Sequence, residues 1–238
     1  SKVEELAERA ARSHKELADA IRELAREAAE SHKEAAEVVK RLADEAARAA
    51  KEVAKAIEDE TAAKILEEAA REALRAAEEA IKLLEDSARE VLRLAEEAIR
   101  LNEEAAKRVL DAAREAAELE DKEAVDRALK RALKISRDAL EEAKKIAKEA
   151  LELSKRAADE AARIAKEALE TAEDALRKAV RDRKVLEDAK KILEDLRKKA
   201  EDALRKHKKI LDELEEKAKK AAEKHERILR KLDEDAKR

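Results

Sequence analysis

An all-α fold is predicted: an elongated up-down-up-down four-helix bundle with nearly straight helices of about 57 residues each, roughly 85 Å long at 1.5 Å per residue. Three observations predict it. The 238 residues contain no Gly and no Pro, and Ala, Leu, Glu, Lys and Arg, all strong helix formers, dominate the chain. The apolar residues recur at a helical period. That pattern stumbles at only three places, each offering an aspartate as a helix cap, so three short connections join four long segments as antiparallel neighbours.

The elements follow in order. Ser1 and Glu4 have the S-x-x-E spacing of a capping box, which starts the first helix at about residue 2. Its pattern runs to about residue 58. At Glu58-Asp59-Glu60-Thr61, Asp59 or Thr61 can cap a second helix, expected over 61–119. Glu120-Asp121-Lys122-Glu123 forms the next break, with Asp121 as the cap of a third helix over 122–180. Asp182 caps the fourth, over 183–236. All four belong to a single expected domain spanning 1–238.

The period carries further information. Val3, Ile21, Val39 and Ile57 recur every 18 residues, as do Leu6, Leu24 and Leu42. The second helix repeats Ile65, Leu83, Leu101, Leu119, the third Leu133, Leu151, Leu169, and the fourth Leu193, Leu211, Leu229. Eighteen residues are five whole turns at 3.6 per turn, so the apolar seam stays on one face of an unsupercoiled helix.

Composition excludes several functions. There are 58 Lys and Arg against 62 Asp and Glu, a net charge of −4, so the basic surplus of a nucleic-acid binder is missing. Without aromatic residues there is no base-stacking platform, and without Gly no phosphate-cradling loop. Without Cys there is no disulfide, thiolate nucleophile or Cys-type zinc site. Uncharged runs are too short to span a bilayer, and no signal peptide opens the sequence. A soluble protein with no targeting signal is expected, produced in a recombinant cytoplasm. Neither nucleic acid, membrane nor small molecule is expected as a partner. A monomer is favoured, with a homo-oligomer the alternative through the wide apolar faces of helices 2 and 3, where Leu83, Leu94, Leu101, Ile135 and Leu153 stand on the flanks.

Four histidines stand out. His14 and His32 are 18 residues apart, as are His207 and His225, so each pair lies on one helix face. Folding the chain through its connections aligns residue n with about 239 − n, which sets His14 level with His225 and His32 level with His207. The third equivalent level holds Ala50 and Ala189. Residues three and four away from every histidine are Ala, Leu or Ile, so the imidazoles face the core. Buried imidazoles need hydrogen-bond partners, and each of the other helices supplies one polar residue at the right height. The first expected layer is His14, Asn102, Ser136 and His225. The second is His32, Ser87, Ser154 and His207. Ser13 and Ser31 are placed at the layer edges.

Strict repetition, equal helices, ideal propensities and paired polar layers together resemble computationally designed parametric helical bundles, in particular those with buried hydrogen-bond networks. The resemblance covers the whole chain and rests on regularity. It implies a fold and a manner of construction, with no natural biochemical activity.

A structural role accounts for both layers, because a misaligned polar network is costly and so penalises a slip by one repeat. An acid-responsive bundle or assembly is the alternative: burial lowers the imidazole pKa, and protonation then opposes folding. Bis-His haem or porphyrin ligation at two sites is a further alternative, opposed by the bulk that His adds where the repeat has Ala. Zinc finds only two His per layer and no Glu-x-x-His or H-E-x-x-H spacing. No catalytic, cofactor-binding or metal-ligating residue is assigned, and an enzyme is not expected, since no carboxylate in the core could orient a histidine beside a serine.

Overall fold

In the computed structural model, which describes residues 2–238, the chain is four α-helices: α1 (Lys2–Ala56), α2 (Glu60–Ala117), α3 (Lys122–Ala179) and α4 (Arg183–Lys237). Ser1, and with it the expected capping box, lies outside the described residues. The observed helices match the expected ones to within two residues at each end. Asp59, not Thr61, caps α2: its Oδ1 accepts from the backbone N–H of Thr61 at 3.0 Å. Asp121 does the same for Glu123 at 3.1 Å, and Asp182 for Lys184 at 3.0 Å. Each aspartate satisfies an N–H group that the helix start leaves without an intrahelical partner. No described residue takes a positive φ, as suits a chain without glycine.

The chain divides into two compact units, each built from segments of all four helices. The first comprises Ser1–Ala28, Glu90–Glu152 and Asp212–Arg238; the second comprises Ala29–Arg89 and Leu153–Leu211. In the first unit, Leu6 and Leu17 of α1, Val109 of α2, Leu133 and Leu140 of α3 and Leu232 of α4 meet in one apolar cluster. A second cluster joins Leu94 and Ala98 of α2 to Ala143 and Ile146 of α3. In the other unit, Leu42, Leu66, Leu176, Leu193 and Leu196 form the main cluster, and Val39, Leu84 and Ile164 a second. Each cluster draws on several helices, because each helix offers one apolar stripe and only the stripes of its neighbours can cover it.

Burial divides the 18-residue series unevenly. Leu193, Leu211 and Leu229 are buried, whereas Ile65 and Leu119 are exposed and Leu83 and Leu101 half-buried. The core face of α2 is therefore carried by Leu66 and Leu84, with Asn102 next in that series. Leu94 corrects an expectation. It was placed on the flank that could serve self-association, yet it is buried inside its own unit against α3. Ile135 and Leu153 are half-buried. No described helix is long and apolar enough to cross a membrane.

Candidate functional site: two buried imidazole layers

All eight expected layer residues are buried, and six of them, His14, His32, Asn102, Ser136, Ser154 and His225, are fully so. Each layer lies wholly within one unit. In the first unit, α1 contributes His14, α2 Asn102, α3 Ser136 and α4 His225. In the second, they are His32, Ser87, Ser154 and His207. The neighbours one turn away are apolar as the sequence required: around His14, Ala10, Ala11, Leu17 and Ala18 are all buried.

In the first layer, Nδ1 of His14 lies 2.9 Å from Oδ1 of Asn102. The Asn102 amide donates its own N–H to the carbonyl of Ala98, one turn back, at 2.9 Å. That bond orients the amide so that Oδ1 is the group facing His14, and an amide oxygen only accepts. His14 must therefore carry its proton on Nδ1. The His14 and His225 rings pack edge to face, centroids 4.4 Å apart and planes at 62°. Nδ1 of His225 is hydrogen-bonded to the hydroxyl of Ser13. Nε2 of His14, Nε2 of His225 and Oγ of Ser136 are buried without a hydrogen-bond partner.

The second layer has the same ring geometry, centroids 4.4 Å apart at 63°, but closes its hydrogen bonds differently. Nε2 of His207 lies 2.9 Å from Nδ1 of His32. Nδ1 of His207 is bonded to the hydroxyl of Ser31, and Nε2 of His32 to that of Ser87 at 3.3 Å. The result is a continuous chain, Ser31–His207–His32–Ser87, in which all four imidazole nitrogens are engaged. Each neutral ring has one donor and one acceptor, and each hydroxyl can play either part. The chain can thus be ordered in either direction. Ser154 is buried in the same unit, with its Oγ unpartnered.

Two serines were misplaced by the sequence. Ser13 and Ser31, expected at the layer edges, are buried at 4% and 5% exposure and bind the histidines of α4 directly. Each immediately precedes a histidine of α1, about 100° round the helix. That offset turns the serine toward α4. The available signal was their own 18-residue spacing. Ser136 and Ser154, expected as network members, are at core positions but make no hydrogen bond.

Burial pushes the histidines down from their ordinary pKa near 6.5. His32 falls to about 3 through desolvation and the proximity of His207; His207 falls to about 4 through desolvation. His225 falls to about 3 through desolvation and the proximity of His14. His14 is lowered by burial too, partly opposed by its bond to Asn102. At neutral pH all four are uncharged, and each pair resists a second proton more than a first. Among the described residues, no group of three or more His, Cys, Asp or Glu is placed to hold a metal ion. No family model matches the chain, and neither curated proteins nor solved structures give a significant match.

Proposed function

We propose that this chain is a structural scaffold, of the computationally designed kind that its regularity resembles, and not an enzyme. On this reading the two polar layers set the register of its helices. The observation that carries it is the matching of polar partners across helices: His14 with Asn102, Ser13 with His225, and the closed chain Ser31–His207–His32–Ser87. A helix displaced by one repeat would bring Ala50 or Ala189 against a histidine and strand its nitrogens in an apolar core, a penalty of about 1–3 kcal/mol for each unsatisfied group. Two spin labels, at Lys15→Cys and Lys224→Cys, test the idea by pulsed electron resonance. The parent should give one narrow distance. A variant with all four histidines changed to Ala, and Asn102 to Leu, should add a population displaced by about 27 Å, one repeat of rise. An unchanged single distance would remove the register role.

A second reading is favoured by one specific feature, the edge-to-face imidazole pairs. Acid would place two positive charges at a centroid separation of 4.4 Å in a dry core, so the bundle would open at low pH. The same contact weighs against haem, because a macrocycle held between the two rings would have to part them.

A further inference from the structure

The two layers would receive an added proton differently. In the second, Nε2 of His207 lies 2.9 Å from Nδ1 of His32. The outer nitrogens, Nδ1 of His207 and Nε2 of His32, are bonded to the hydroxyls of Ser31 and Ser87. One added proton leaves this chain complete. His207 then donates from Nδ1 to Ser31 and from Nε2 to His32, while His32, still neutral, donates from Nε2 to Ser87. Moving the central proton onto Nδ1 of His32 gives the mirror arrangement, again with every ring nitrogen paired. The charge is shared through one charge-assisted hydrogen bond, the stronger kind. A second proton would set two N–H groups against each other at that contact and break it.

The first layer has no such arrangement. His14 already donates from Nδ1 to Asn102, and Nδ1 of His225 is engaged by Ser13. An added proton on either ring leaves an N–H at Nε2, and both Nε2 atoms are buried without a partner. A buried charged donor without an acceptor costs more than a neutral one. No carboxylate offsets the charge in either layer. Among the described residues, His207 is the one titratable group that acts on His32, and His14 the one that acts on His225. At the level of the second pair, α2 and α3 carry Ser87 and Ser154. The charged residues beside these positions in sequence, Lys33, Asp86, Lys206 and Lys208, are exposed, and Lys155 is half-buried. Asp86 pairs with Arg89, and Lys208 with Asp159. Burial leaves His207 at about 4 and His32 at about 3, so the first proton resides mainly on His207.

We propose that the His32–His207 pair is a binding site for one excess proton, held between the two rings while the second unit stays folded, and that the first layer has no counterpart. This deepens the acid-responsive reading and rests on the same buried pairs. One layer opens at its first proton and the other at its second, so the two units differ in the acid they tolerate.

Nitrogen-15 NMR of the full chain with labelled histidine, titrated from neutral pH into acid, tests this, with circular dichroism recording helicity at each step. The variant with His14 and His225 changed to Ala is titrated beside the parent, since it lacks the layer expected to open first. In that variant the pair should take up one proton with helicity intact. Both rings should shift toward imidazolium, His207 the more, and the nitrogen–nitrogen coupling across the His207–His32 bond should persist. In the parent, His14 and His225 should stay neutral until the first unit unfolds. Ser31→Ala should lower the pair's first step by about one pH unit, a tenfold loss of proton affinity, because the cation loses the stronger bond. Ser154→Ala, whose hydroxyl binds neither ring, should leave it unchanged. Should Ser31→Ala fold poorly, Ser87→Ala decides. Helicity lost together with the first proton in the two-histidine variant, two protons taken up in one step, loss of the coupling at the first step, or an unchanged step in both serine variants would overturn the proposal. The acid-responsive reading falls separately, on urea midpoints of the parent that do not change with pH, whereas the nitrogen shifts alone decide the proton site.

Discussion

Nε2 of His207 sits 2.9 Å from Nδ1 of His32, so the two imidazoles of the second layer are hydrogen-bonded directly to one another. In the first layer the equivalent rings have the same separation, yet His14 turns Nδ1 to Asn102 instead. One side chain on α2, Asn102 where the second layer has Ser87, separates a locked layer from a reversible one. An amide oxygen accepts and cannot donate, whereas a hydroxyl does either.

Tautomer populations should follow. Nitrogen-15 NMR at pH 7.5 should find His14 as the Nδ1–H form alone, and His32 and His207 as mixtures of both forms. Asn102→Leu should leave the His14 N–H buried and unpaired, at a cost of about 1–3 kcal/mol. A mixed population at His14 in the parent would contradict the locking by Asn102.

Acid should destabilise the fold within a defined window. The folded pKa values lie below the unfolded value near 6.5, down to about 3 for His32 and His225 and about 4 for His207. The unfolded chain therefore binds more protons as pH falls. Stability is complete above about pH 6.5 and is lost progressively below it, until the folded pKa values are reached. Each histidine contributes a slope of up to about 1.4 kcal/mol per pH unit, and four together roughly 5. Urea unfolding at pH 7.5, 6 and 5 should show this decline in the parent. The variant with all four histidines changed to Ala should lack that component.

The serines should divide into two classes. Ser13→Ala and Ser31→Ala each strip the partner from Nδ1 of a buried imidazole and should cost about 1–3 kcal/mol. Ser136→Ala and Ser154→Ala remove hydroxyls that have no partner, so they should be neutral or stabilising. Denaturant midpoints of the four single variants check the contrast. Equal losses in all four would refute it.

Helix starts should matter more than surface ion pairs. Asp59→Ala, Asp121→Ala and Asp182→Ala should each cost about 1 kcal/mol, since each removes a cap. Replacing Arg93 by Gln breaks its exposed contacts with Glu90 and Glu97, yet should leave the melting temperature essentially unchanged. Thermal melts at low and high salt separate the two, because caps at short range respond little to screening.

Sequence alone determined the four helices, the caps Asp121 and Asp182, and the core-facing positions of the four histidines. Those features are periodic or local: an aspartate before a helical run needs only its next two residues, and an 18-residue spacing places His14 and His32 on one face wherever the helix packs. Which atoms meet was decided by tertiary structure. The half-turn between the two His14 ring edges costs nothing in the sequence pattern, and only the position of Asn102 and its bond to Ala98 selects one. Ser13 and Ser31 lie about 100° from the histidines, and whether that direction meets α4 or water depends on which helix stands there. Leu94 was legible as apolar but not as buried, for the same reason. The small cavity of about 20 Å³ lined by Ala50 and Ala189 was hidden as well, because a missing volume belongs to the space between four helices and to no residue of any one of them.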